Sequence, residues 1–244
     1  MQRIIKEIKF DNLHIPVHIY REMRMDVRIS ILKDKVTLRL PLFMTNKQIK
    51  KNISWAKSWL ERRFEDNPEI KKRFEIKTYK SEDTLLINNK SFSLKINEEK
   101  RNNFSGKIEN DTIYIYVPEN SEAHQRQKAI KTLQSRLIAQ YFLPEISNRI
   151  HLLNQKHFKF DINTIRLKYN KSNWGSRSAK NNINISTRLL FAPQDVQDYV
   201  FIHELAHFSE MNHSPAFWNI VKKIIPDYKE KEKWLKKNGH LCDF

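Results

Sequence analysis

Residues 193 to 213 read PQDVQDYVFIHELAHFSEMNH and concentrate the groups best suited to chemistry. His203 and His207 are four apart, so on a helix they share one face and can aim ring nitrogens at a point about 2 Å away. Glu204 lies beside them, placed to face a water on a metal at that point. The expected ion is a single Zn2+, and the expected chemistry is hydrolysis with Glu204 as general base. Val196 and Val200 extend the histidine face, while Tyr199, Phe201, Ile202, Leu205, Ala206 and Phe208 make most other faces apolar. A helix that apolar is buried. Two imidazoles and a carboxylate left unpartnered inside it would cost several kcal/mol, and a cation removes that cost. The plainer alternative is a hydrogen-bonded pair of core histidines. The buried helix and a further histidine nearby favour the metal.

The third ligand is less constrained by spacing. His213 follows His207 by six residues, too far to share the helical face unless the chain turns between them. Asn212 is expected to supply that turn in a left-handed, helix-ending conformation. Ser214 and Pro215 then read as the cap and first position of a new helix, AFWNIVKKII. His213 is the preferred ligand; Glu230 or Glu232 on a later helix are the alternatives. Metzincins share the six-residue spacing but place glycine where this chain has Glu210, which disfavours that reading.

With Trp174-Gly175-Ser176, YVFIHELAHFSEMNHSPAFW and Pro226-Asp227-Tyr228 in view, the chain resembles the YgjP-like metal-dependent hydrolases, which are similar to SprT and Spartan-type proteases. The likeness covers about residues 121 to 240. It implies a zincin-type domain with His203, His207 and His213 on zinc and Glu204 catalytic. The family usually reads WGSCS, and this chain has Arg177 at the cysteine position. Trp174, Ser176 and Arg177 are therefore candidate substrate contacts, with Arg177 suited to an anionic group or a developing oxyanion. The plainer reading, and the favoured one, is a tight turn between strands, with Gly175 giving backbone freedom and Trp174 filling core. Trp218 is expected to support the ligand corner.

These residues need a scaffold, and the pattern of the chain supplies one of α+β class. Val27, Ile29 and Ile31, then Lys33-Asp34, then Val36, Leu38 and Leu40 read as a hairpin closed by Pro41. Thr45 can cap a helix with Ile49, Ile53, Ala56, Leu60 and Phe64 on one stripe. Two further hairpins turn at Asn88-Asn89 and Asn110-Asp111, and the second ends at Pro118. From Ser121 the pattern is helical, with Pro144 expected to kink or break it before it resumes through Ile146, Ile150 and Leu153. Short strands near Ile165 to Tyr169 and Ile183 to Ile185 precede three final helices. No internal repeat is visible. The expected organisation is a strand-rich region with one amphipathic helix over 1–118, then a zincin-like hydrolase domain with a small sheet over 119–244.

Composition narrows the setting. With 244 residues, 39% hydrophobic content and 3 glycines, the chain is not disordered, collagen-like or a disulfide scaffold. Its single cysteine, Cys242, forbids an internal disulfide and fits a reducing compartment. The N-terminus MQRIIKEIKFDN is not a signal peptide, and no apolar stretch is long enough to cross a bilayer. The expected location is cytoplasmic, with no membrane association. A net charge of +17 attracts polyanions. Lys71-Lys72-Arg73 and Lys229 to Lys237 are the stretches that would track a phosphate backbone, although solvated helix faces explain both. The expected substrate is a peptide or protein. The competing readings are a nucleotide or phosphoanhydride substrate, for which no glycine-rich phosphate loop exists, a nucleic-acid-associated SprT-like protease, and a purely structural zinc.

Overall fold

A computed structural model describes residues 2–10, 13–32, 35–72, 74–75 and 77–244. The chain forms two compact units, Met1–Thr78 and Tyr79–Phe244. In the first, β1 (Gln2–Phe10) and β2 (Leu13–Glu22) pair antiparallel, as do β3 (Arg28–Ile31) and β4 (Val36–Pro41). The β3–β4 hairpin is the one the alternation predicts; its Lys33-Asp34 turn lies outside the described residues. The parallel pair β2 and β4 joins the two hairpins in the order β1-β2-β4-β3. Ile15, Val17, Val36, Leu38 and Leu40 are fully buried from this sheet. Helix α1 (Asn46–Asp66) starts at Thr45, whose hydroxyl accepts from the Gln48 backbone while the Gln48 side chain returns to the Thr45 backbone. Its stripe of Ile49, Ala56, Leu60 and Phe64 is buried as expected. A short helix, α2 (Pro68–Lys72), follows.

The second unit repeats that topology without repeating its sequence. Hairpins β5 (Thr84–Ile87) with β6 (Lys90–Glu99) and β7 (Ser105–Glu109) with β8 (Thr112–Pro118) join through a parallel β6–β8 pair, in the order β5-β6-β8-β7. The turns are the predicted ones. Asn88, Asn89, Asn110 and Asp111 all take positive φ, 50, 61, 48 and 59°, which asparagine and aspartate tolerate and tight hairpins require.

Helix α3 (Ala123–His157) continues through Pro144, so the expected break does not occur. Proline removes one backbone donor, but Ile138, Phe142, Ile146 and Ile150 form an uninterrupted buried stripe across the position, and packing holds the helix together. The same stripe shares its core with Leu85, Phe92, Leu94, Ile113 and Ile115. That shared core is why the compact units divide at Thr78–Tyr79 rather than near residue 118, where the change of pattern suggested a boundary.

A second, three-stranded sheet has the order β10-β11-β9, from β9 (Thr164–Lys168), β10 (Gly175–Arg177) and β11 (Asn182–Ser186). Helices α4 (Gln194–Ala206), α5 (Pro215–Ile224) and α6 (Tyr228–Asn238) finish the chain. The fold is mixed α+β, with three sheets and six helices among the described residues. No helix among them is long and apolar enough to cross a membrane.

Candidate metal centre

Helix α4 is buried on nearly every side, with Val196, Tyr199, Val200, Phe201, Ile202, Leu205 and Ala206 all at most 5% exposed. It ends at His207, whose backbone is still right-handed at φ −65° and ψ −10°. Asn212 has no positive φ, so it does not supply the expected left-handed turn. The chain unwinds instead through tight backbone bonds from Phe208 to Leu205 and from Ser209 and Glu210 to Ala206, each 3.0 Å. Ser214 then caps α5 by accepting from the Phe217 backbone at 3.3 Å, with Pro215 in the first turn, as predicted.

This corner brings the three histidines together. One ring nitrogen from each of His203, His207 and His213 lies within 4.8 Å of the others, and Nε2 of His203 stands 3.0 Å from Nε2 of His213. His207 Nδ1 is 3.0 Å from the Glu210 carbonyl and can donate to it, which leaves Nε2 as the free lone pair. Phe217, fully buried, lies 4.9, 4.5 and 4.8 Å from the His203, His207 and His213 ring centroids and acts as their common floor. Trp218 stacks on His213 at 5.6 Å and on Tyr228 at 5.1 Å, the supporting position expected of it.

The electrostatics favour neutral ligands. Burial drives the His203 imidazole down to about 3, with His207 and His213 adding to the push. Burial also lowers His207, against the pull of its bond to Glu210. Nδ1 of His203 is buried and has no hydrogen-bond partner. Three imidazoles that each bring a ring nitrogen to one point, two of them with lowered pKa, fit a divalent cation, and His203, His207 and His213 are the residues that would hold it. Glu230 is exposed, and Glu232 pairs with Lys236 at 2.8 Å, so neither alternative ligand joins this cluster.

Glu204 lies against Gly175 of the small sheet. It is 5% exposed, and burial lifts its carboxyl to about 8, against a backbone hydrogen bond from Arg177. Strand β10 passes directly over it. A Cβ on Gly175 would fall 2.5 Å from Glu204 Oε1 and 2.7 Å from its Cγ. Gly175 has no positive φ, so its value here is space rather than the backbone freedom expected of a turn. Residues Gly175–Arg177 are accordingly an edge strand rather than a turn, and Trp174 lies in the bend that leads into it. Ser176 sits on β10 opposite Asn184.

A cleft of ≈ 310 Å³ opens on His203 and Glu204, lined further by Asn173, Trp174, Gly175, Tyr199, Val200, Glu232, Leu235 and Lys236. Trp174 has two duties, lining this cleft and covering the buried Arg188 guanidinium 4.7 Å from its ring centroid. Sequence reading missed Phe217 as the floor and Gly175 as the seat of the carboxylate. Neither carries a local signal, because both roles exist only once α5 and β10 are placed against α4.

A model of the YgjP-like metallopeptidase domain matches residues 25–238. The chain belongs to the YgjP-like family. The family makes it a metal-dependent peptidase by kind, and the match reaches back into the first compact unit. Among solved structures it is similar to the metallopeptidase zymogen abylysin of Pyrococcus abyssi, 23% identical over 38% of this chain and 93% of that one, TM-score 0.35. Jannalysin of Methanocaldococcus jannaschii, also a metallopeptidase zymogen, is 21% identical over 38% and 94%, TM-score 0.35. No curated protein matches.

Proposed function

We propose that this protein is a zinc-dependent, zincin-type metallopeptidase in which His203, His207 and His213 hold one ion and Glu204 is the general base. The observation that carries the reading is the pairing of a three-histidine cluster with a buried carboxylate that, among the described residues, has no cationic side chain of its own. When bound, the ion supplies Lewis acidity, bringing a water's pKa toward about 7 and polarising the scissile carbonyl. Glu204 takes the proton of the attacking water and returns it to the leaving amine. Gly175 leaves the carboxylate room to lie against β10, and the Arg177 backbone N–H steadies its ionised form. The neighbouring cleft accommodates a substrate side chain, and its walls Trp174, Val200 and Leu235 suit an apolar one.

Casein cleavage and metal content of the zinc-loaded protein test this directly. Glu204→Gln should retain about one zinc per chain and lose turnover, whereas His203→Ala should lose both. Undiminished cleavage by Glu204→Gln would remove the base assignment.

The charge gives no second reading. Within the basic stretches, Lys231 bridges Asp195 and Asp227 at 2.7 and 2.8 Å, Lys236 meets Glu232 and Lys72 meets Glu69. The described residues of those stretches lie on helix faces that are partly neutralised.

A further inference from the structure

Arg177 is an unusual cation for its position. Its guanidinium lies 4.8 Å over the Phe208 ring, the residue after His207, and reaches Met211, two residues before His213. Its backbone N–H serves Glu204. One residue thus touches the base through its main chain and the His207–His213 connection through its side chain. Among the described residues no carboxylate pairs with it. Of its five N–H donors, Nη2 gives one to Asn181 Oδ1 at 2.6 Å, Nη1 meets only the Met211 thioether at 3.0 Å, and buried Nε has no partner. Thioether sulfur is a weak acceptor. The fork is held in place by an aromatic face and an amide, yet most of its donors have no oxygen to satisfy them.

We propose that Arg177 forms an anion subsite beside the metal centre and that the peptide substrate fills it with a carboxylate, so that the enzyme selects acidic peptides. The assignment rests on the peptidase reading for its substrate, not for its binding group. Guanidinium and carboxylate match in plane and charge, and desolvation by Phe208 strengthens the contact. Met211, 62% exposed, is the group displaced when a carboxylate arrives. A phosphate offers the same oxygen chemistry, and the test separates the two sources.

The experiment uses zinc-loaded protein and a peptide set in which one residue is exchanged among Glu, Gln and Lys at each position around the cleaved bond. Turnover is measured for wild type, Arg177→Met and Arg177→Lys. Calorimetric binding of the same peptides to zinc-loaded Glu204→Gln protein supplies a readout without turnover. At one position, Glu should exceed Gln by about tenfold or more in kcat/KM, chiefly through KM, as one charge-assisted contact predicts. Arg177→Met should bring that Glu/Gln ratio close to one, and Arg177→Lys should restore part of it. A ratio near one in wild type, or one that survives in both variants, overturns the subsite. So does an equal fall in kcat for acidic and neutral peptides, which would place Arg177 on the reaction's oxyanion instead. Inorganic phosphate displacing the Glu peptide far better than acetate, with nucleoside triphosphate hydrolysed and no peptide cut, overturns the carboxylate assignment. If no peptide is cut but Glu204→Gln protein still prefers the Glu peptide through Arg177, the peptidase reading falls and the subsite stands.

Discussion

Glu204 and Arg188 are equally inaccessible, each 5% exposed, yet the protein treats the two charges in opposite ways. Arg188 is bonded at all three of its nitrogens. Its guanidinium donates to the backbone carbonyls of Cys242 at 2.7 Å, Lys171 at 3.1 Å and Gly239, and Trp174 covers its face. Nearby, Asp243 accepts from Lys131 at 2.7 Å and Tyr169 at 2.8 Å. Together these contacts fasten the last residues of the chain, including buried Cys242 and Phe244. Around Glu204 the opposite holds among the described residues: a carboxylate without a cationic side chain and an Arg177 without a carboxylate. A polar group that holds a fold together is satisfied within the fold, because an unpaired buried group is costly. Groups left wanting are those whose partners arrive from outside. Cys242 also belongs to the first set, as a packed thiol whose pKa is raised by burial.

The largest effects should fall on opposite properties in the two clusters. Glu204→Gln should cost about 10²–10⁴-fold in turnover while leaving the metal-free fold as stable as before or more so, because folding no longer has to protonate a buried carboxyl. Arg188→Met should do the reverse. It strands three carbonyls and should cost about 3 kcal/mol or more, measured by urea unfolding, while activity per folded molecule persists. Should Arg188→Met unfold no more readily than wild type, the idea that saturation marks structural groups fails.

A smaller effect sharpens the comparison where the clusters meet, at the start of β10, where Gly175 follows Trp174. Gly175→Ala places a methyl 2.5 Å from Glu204 Oε1. Overpacking of this kind costs about 1–3 kcal/mol, and the carboxylate must shift, so turnover should fall more than stability does. Normal activity in Gly175→Ala would mean that the seat of Glu204 has slack, and the geometric account of that glycine would not hold.

How much of this was readable from residue order follows from the range of each interaction. The hairpin turns, the Thr45 cap, the Ser214 cap and the burial of α4 are local, and each was visible as a type at a spacing. The convergence of His213 with His203 and His207 was suggested by a helix stop and start, though the stop is made by carbonyl bonds near Ala206 and not by Asn212. Nothing local encodes β10, three residues long and defined only by its pairing with β11. The division at Thr78–Tyr79 was hidden for the same reason: hairpins β5 to β8 look like those before them, and only their shared core with α3 assigns them to the second unit.

A change of pH isolates the unsatisfied cluster. In metal-free protein Glu204 titrates at about 8 when folded and near 4.5 when unfolded. Between those values the native chain holds a proton that the unfolded chain has released, so this group's contribution to stability falls as pH rises across the window. His203 works the other way, about 3 folded against 6.5 unfolded, so its contribution rises with pH up to about 6.5. The Tm of the metal-free protein should therefore decline between about pH 6.5 and 8, where only Glu204 still titrates of the two. Glu204→Gln removes that decline alone. The stability gap between variant and wild type should open from near zero around pH 4.5 at no more than about 1.4 kcal/mol per pH unit, and level off above 8. Zinc should close it, because a cation beside the carboxylate favours the charged form. Parallel pH profiles for the two metal-free proteins would show that Glu204 is already satisfied within the fold, and the contrast with Arg188 would disappear.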